Sequence, residues 1–138
     1  MILDYSTLVK EHLYLNEGIY EVVMGLSHHY NLGLVSAGSG SLVGRASKVD
    51  SWGIRPYFAS MLFCTGKRYS RHYRSLMQDL EKQPQEPIIV DDSYARGIDA
   101  GVRIGCETYW VNREGLAFPV ARKLRPTRMV SSLAELLR

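Results

Sequence analysis

The chain has 138 residues, 46% of them hydrophobic and 22% charged, with a formal net charge of +3. That length and composition fit one globular domain able to bury a real core, and they exclude a disordered or low-complexity chain. The mild charge is no argument for a nucleic-acid partner, no apolar run approaches the roughly 20 residues of a membrane helix, and the start lacks a signal-peptide pattern.

In chain order, Ile19, Val22, Val23 and Leu26 recur at i, i+3, i+4 and i+7, which predicts an amphipathic helix. Leu32, Leu34 and Val35 form a short apolar strand that stops at Ser36 and enters a Gly/Ser loop. "SLVGRASKVDSWG" reads as a second helix with Gly53 placed to end it. "SMLFCTG" is a second buried strand, and "SRHYRSLMQDLEK" a helix with Tyr73, Leu76, Met77 and Leu80 on one face. "PIIVDD" is a third strand, "SYARGIDAGVRIG" a helix closed by Gly105, and "ETYWVNR" a fourth strand. A Pro-containing connection then leads to "SSLAELLR", a last helix with Ser131 or Ser132 as its N-cap.

Apolar strands alternating with helices predict an α/β fold whose parallel sheet is covered on both faces, and such sheets bind ligands at the carboxyl ends of their strands. Those ends carry Ser36, the segment Thr65-Gly66-Lys67, and Asp91 with Asp92. A hydroxyl, an ammonium and two carboxylates on one rim suit a phosphate with a divalent cation, Mg²⁺ above all. The plainer readings are a loop serine, a lysine in a solvated helix start, and carboxylates favoured at a helix N-terminus. Adjacent carboxylates repel, so Asp91 and Asp92 call for a cation or hydrogen-bond donors.

Three stretches, in order, resemble the haloacid dehalogenase-like (HAD) superfamily over about residues 15 to 138. "YNLGLVSAGS" is similar to the family's second motif, which puts Ser36 at its hydroxyl position. "WGIRPYFASMLFCTGKRYSRHY" resembles the third, aligning Lys67 with its lysine, and "IIVDDSYARGIDAGVRIGCETYWVNR" resembles the fourth, with Asp92 on its first aspartate. Gly97 stands where many members have a second aspartate, although Asp91 offers the double-aspartate form, and Arg68 stands where proline usually follows the lysine.

The family's first motif, Asp-x-Asp-x-Thr, has one candidate, "MILDYSTLV". Aligned on Thr7 and Leu8, it puts Leu3 at the nucleophile and Tyr5 at the second aspartate; shifted by one, Asp4 is the nucleophile and Ser6 replaces the general acid/base. Because the family's first strand is central, its loss would leave two inner edges unpaired. Either Met1 to Leu3 form a minimal strand aiming Asp4 at the rim, or the chain starts beyond that strand in the tail of a cap helix.

The resemblance implies a HAD-like Rossmannoid domain over residues 1–138 with a mostly parallel sheet and no sizeable cap. It also implies a Mg²⁺-dependent phosphohydrolase acting on a small phosphorylated substrate. Asp4 would attack, Ser36 and Lys67 would hold the phosphoryl oxygens, and Asp91 and Asp92 would anchor the metal. The rival is a HAD-fold pseudoenzyme serving as a binding or assembly module. A phosphorelay receiver uses similar groups but in the reverse order along the chain, and is set aside.

Other features read as ordinary surface or core. His28 and His29 fall in a solvated helix end, and His72 at the surface. "KRYSRHYR" and the basic residues Arg122, Lys123, Arg125 and Arg128 read as solvated faces rather than a nucleic-acid site. Tyr14, Tyr20 and Tyr30 offer a surface for a partner or for self-association into a homo-oligomer. Cys64 and Cys106 read as thiols in a reducing, cytoplasmic setting.

Overall fold

The structure is a computed structural model that describes residues 1–14, 18–38, 40–66, 69–116 and 125–137. Lys67, Arg68, Arg122, Lys123 and the side chain of Tyr14 lie outside what it describes. The strands are β1 (Ile2–Asp4), β2 (Leu32–Ser36), β3 (Phe58–Phe63), β4 (Ile88–Asp91), β5 (Glu107–Val111) and β6 (Arg128–Val130). They pair in parallel throughout, in the order β3-β2-β1-β4-β5-β6. The helices are α1 (Tyr5–Tyr14), α2 (Ile19–Ser27), α3 (Leu42–Ser51), α4 (Tyr69–Asp79) and α5 (Asp99–Arg103). This is a Rossmann-like α/β fold, and none of the described residues forms a cap over it. No helix among them is long and apolar enough to cross a membrane.

Met1 to Leu3 therefore do lead into a strand rather than the tail of a cap helix. Ile2 sits between Gly33 and Ile89, and Leu3 between Leu34 and Val90. The period of two in a strand sorts these side chains. Leu3, Leu34 and Val90 pack on the face carrying Leu8, Val22, Val23 and Leu26 from α1 and α2. Ile2, Val35 and Ile89 pack on the opposite face, under Tyr73, Leu76 and Met77 of α4. Leu3 is fully buried in that core, which removes it from the nucleophile position; Asp4 is the residue that ends the strand at the rim.

The sheet order reverses direction between β1 and β4, one neighbour connection running toward β2 and the next to the far side. Open α/β sheets bind ligands in the crevice at such a switch point, outside the carboxyl ends of the two strands. Here that crevice begins at Asp4 and Asp91.

Three elements differ from the sequence pattern. The segment after β4 opens as a π-helical turn, Tyr94–Ile98, before tightening into the short α5; such widened turns occur frequently at functional sites. Arg128–Val130 adds a sixth strand that the residues do not announce, because Arg128 and Met129 are exposed and only Val130 is buried. The C-terminal segment is a 3₁₀ turn, Leu133–Leu137, and its first amides are capped by neither serine side chain. Glu11 Oε1 accepts from Leu133 N at 2.8 Å and Ala134 N at 3.3 Å.

The surface features largely follow expectation. His28 and His29 are exposed, as are Arg71 and Arg74 on the outer side of α4, whose Tyr69, Tyr73, Leu76 and Met77 are buried. Tyr20 is exposed, but its hydroxyl meets that of Tyr57 at 2.6 Å.

Candidate functional site

Three carboxylates from distant parts of the chain meet at the switch point. One oxygen from each of Asp4, Asp91 and Asp92 lies within 4.8 Å of the others. Asp4 and Asp91 are buried, and Asp92 is half-buried. Their directions follow from the strand pleat. Asp4 and Asp91 share the face of Ile2 and Ile89, whereas Asp92, one residue on, turns toward α1.

Each carboxylate has its own partners. Asp91 accepts from Ser93 N at 2.9 Å and from the buried Tyr73 hydroxyl at 3.1 Å. Asp92 accepts from the Ser6 hydroxyl at 3.0 Å and the Thr7 hydroxyl at 3.2 Å, its amide donates to Thr7 Oγ1 at 3.0 Å, and Lys10 forms an ion pair with it. Asp4 is held by the backbone amide of Ser6 at 3.2 Å and, at close range, by its hydroxyl. Ser6 thus stands between Asp4 and Asp92.

The electrostatics show the strain of this crowding. Burial, the largest effect, and the neighbouring Asp92 charge push Asp4 up to about 6 despite its bonds to Ser6. Burial and the Asp4 charge push Asp91 well above the usual carboxylate range. Burial also opposes ionisation of Asp92, but its hydrogen bonds with Lys10 and Asp91 outweigh it and hold Asp92 below its usual value. Without added charge, then, Asp4 and Asp91 ionise less readily than free carboxyls. A hard divalent cation is the species that three converging carboxylate oxygens suit, because its charge offsets their mutual repulsion. The residues present fit Mg²⁺.

Gly97 explains how Asp91 is accommodated. A Cβ built there would lie 1.7 Å from Asp91 Oδ2 and 2.6 Å from the Tyr73 hydroxyl. The carboxylate of Asp91 fills the space in which a side chain at position 97 would stand, so the second acid reaches the site from the strand instead of the turn.

Ser36 ends β2 on the same edge but is fully buried, and its Oγ accepts from Arg45 Nη1 at 2.9 Å. It is not the solvated loop serine of the plainer reading. Lys67 lies outside the described residues. Sequence reasoning missed Arg45 and Lys10, and it placed Tyr73 on the inward face of its helix without a contact to Asp91. The signal for Arg45 was present: it stands four residues before the buried Val49, on the inward stripe of α3.

A cavity of about 1340 Å³ opens beside Asp92, lined among others by Ser6, Lys10, Tyr94, Arg96 and Trp110. A smaller one, about 440 Å³, lies at the opposite edge of the sheet around Met1, Asn31 and Ile88. Of the three clustered acids, Asp92 lines the first, and none of the three lines the second.

A family model described as haloacid dehalogenase-like hydrolase matches residues 1–111. No curated protein sequence matches the chain. Among solved structures, the HAD-hydrolase YfnB from Bacillus subtilis, bound to magnesium, superposes with a TM-score of 0.72 at 19% identity, covering 86% of this chain and 52% of that one. A HAD phosphatase from Thermococcus onnurineus gives 0.67 at 23% identity, covering 84% and 53%. An uncharacterized protein from Listeria monocytogenes serotype 4b gives 0.77 at 14% identity, covering 99% and 93%. The chain spans about half the length of the first two and nearly all of the third. These likenesses carry the fold, and the family match over most of the sequence carries the membership: the chain belongs to the haloacid dehalogenase-like hydrolase family.

Proposed function

We propose that the chain is a Mg²⁺-dependent phosphohydrolase acting on a small phosphomonoester. The observation that carries this reading is the meeting of Asp4, Asp91 and Asp92 within 4.8 Å at the switch point of the sheet. Asp91 and Asp92 would hold the ion, which when bound supplies positive charge against the phosphoryl oxygens.

Asp4 is the nucleophile. A carboxylate oxygen attacks phosphorus, the bond to the leaving alcohol's oxygen breaks, and an aspartyl-phosphate forms on Asp4. Water then attacks that phosphorus, releasing phosphate and restoring the carboxylate. The Ser6 amide and hydroxyl orient Asp4, and Ser36 on the next strand presents a hydroxyl for a phosphoryl oxygen, as does the ammonium that the family resemblance assigns to Lys67. Ser6 is no proton donor of carboxylate strength, so the leaving oxygen draws its proton from water and turnover is slow for poor leaving groups.

A non-catalytic relative, a binding or assembly module on the same scaffold, is the second reading. It draws on Ser6 at the acid/base position and on Lys10 already paired with Asp92. Incubation with p-nitrophenyl phosphate and Mg²⁺ separates the two. The first reading expects hydrolysis that Asp4→Asn abolishes; hydrolysis indifferent to that substitution, or none in the wild type, rejects Asp4 as the nucleophile.

A further inference from the structure

Arg45 belongs to no motif, yet it is one of the most constrained side chains near the site. It projects from α3 at 7% exposure. Its Nη1 donates to Ser36 Oγ at 2.9 Å, and its Nη2 to Cys64 O at 2.9 Å and Gly40 O at 3.2 Å. Its Nε is buried with no hydrogen-bond partner. Among the described residues no carboxylate forms an ion pair with it. A buried cation is normally paired, since desolvating it is costly. This one is placed at the carboxyl end of β2 with an idle donor and no counter-ion, which is what a site awaiting an anion looks like.

The chemistry of the Arg45–Ser36 bond adds a direction. A guanidinium has donors only, so Ser36 Oγ must be the acceptor in it. The Ser36 hydroxyl proton is therefore free for another acceptor, and no described residue takes it. Ser36 alone would be a hydroxyl rotor able to donate or accept; fixed by Arg45 it is a donor.

We propose that Arg45 is a positioning residue for an oxyanion at the end of β2. It holds Ser36 as a hydrogen-bond donor toward a phosphoryl oxygen and contributes the nearby buried positive charge. The assignment rests on the phosphohydrolase reading for its ligand, but it concerns binding rather than turnover.

The test measures inorganic phosphate affinity in the presence of Mg²⁺, and Mg²⁺ affinity alone, by calorimetry on the full chain, with melting curves for every variant. The wild type is expected to bind phosphate, and Arg45→Met to bind it about tenfold or more weakly at unchanged Mg²⁺ affinity, since the orientation of the Ser36 donor and the positive charge beside the anion are both lost. A merely structural lesion would weaken both ligands together. Arg45→Lys keeps the charge but cannot span three acceptors, and is expected to fold and to bind phosphate more weakly than the wild type. Combining Arg45→Met with Ser36→Ala is expected to cost clearly less than the sum of the two single losses, because part of the Arg45 effect passes through the Ser36 hydroxyl. Wild-type phosphate affinity in Arg45→Met or in Arg45→Lys overturns the proposal, as does strict additivity with Ser36→Ala or a wild type that binds no phosphate. Phosphate binding without hydrolysis would instead defeat the phosphohydrolase reading and leave Arg45 in place, whereas hydrolysis with Arg45→Met unaffected in phosphate affinity would do the reverse.

Discussion

The Asp91 carboxylate and the backbone of Gly97 occupy adjoining space so tightly that a methyl group at position 97 would lie 1.7 Å from Oδ2. One acid and one absent side chain are complementary. Gly97→Ala must push Asp91 off its bonds from Ser93 and Tyr73 or distort the π-helical turn. Overpacking of this kind costs about 1–3 kcal/mol, to be read by denaturant unfolding. Moving the acid from the strand to the turn, with Asp91→Gly and Gly97→Asp combined, should recover part of that stability, whereas Gly97→Asp alone should be the worst of the set. Equal stability of Gly97→Ala and wild type would show that the turn is looser than its packing.

The crowded acids also set a pH dependence. Asp4 rises from 3.8 to about 6 in the fold, and Asp91 moves the same way. A folded state that holds protons more tightly than the unfolded chain is stabilised at low pH, fully below about 4, and loses that contribution as pH climbs through 6. For Asp4 the difference amounts to at most about 3 kcal/mol. The metal-free protein should therefore melt higher at pH 5 than at pH 7.5, and Asp4→Asn should flatten the difference. Millimolar Mg²⁺, which binds the ionised acids of the native state, should raise the midpoint more at pH 7.5 than at pH 5. A midpoint indifferent to Mg²⁺ at both values would leave the carboxylates as mere neighbours.

Ser6 sets an expectation about substrates. It stands between Asp4 and Asp92, where the family's first motif carries a second aspartate. A positioned acid contributes roughly 10²–10⁴-fold to the departure of a poor leaving group and much less to that of a good one. Rates should accordingly fall steeply from p-nitrophenyl phosphate to alkyl phosphates. Ser6→Asp should raise kcat on an alkyl phosphate by about tenfold or more while changing p-nitrophenyl phosphate little. Steady-state rates across a leaving-group series decide it, and a flat series would place the proton transfer elsewhere.

What the residues disclosed and what they withheld have physical reasons. Ser36 and Asp91 with Asp92 were legible because each closes an apolar run long enough to read as a buried strand. β1 was not, because three residues cannot display a period of two; only the cost of an unpaired central gap argued for it. Leu3 and Asp4 competed for one role until the pleat put Leu3 in the core. The strand at Arg128–Val130 left almost no trace, since a short edge strand is held by backbone pairing with β5 more than by its side chains. Arg45 was hidden by the habit of reading charge as surface, although Val49 four residues on marked its stripe as inward. The cap of the last turn was sought in the neighbouring serines and came from Glu11, more than 120 residues away in sequence.

Glu11 is the strongest structural dependency outside the acid cluster. It is fully buried, one oxygen accepts from two amides at the start of the C-terminal turn, and the other pairs with Arg113. Through it α1, the end of β5 and the turn carrying Leu133 and Leu136 are tied together. Glu11→Ala strands two amide donors and removes one ion-pair partner of a largely buried guanidinium, so a loss of about 3 kcal/mol is expected. Glu11→Gln retains an acceptor for the amides and loses the charge, so it should fall between Ala and wild type. Because α1 also carries Ser6, Thr7 and Lys10, the Ala variant should weaken Mg²⁺ affinity as well as stability. Denaturant unfolding together with Mg²⁺ titration checks both effects, and a Glu11→Ala protein as stable as wild type would mean that the turn is held by Leu133 and Leu136 alone.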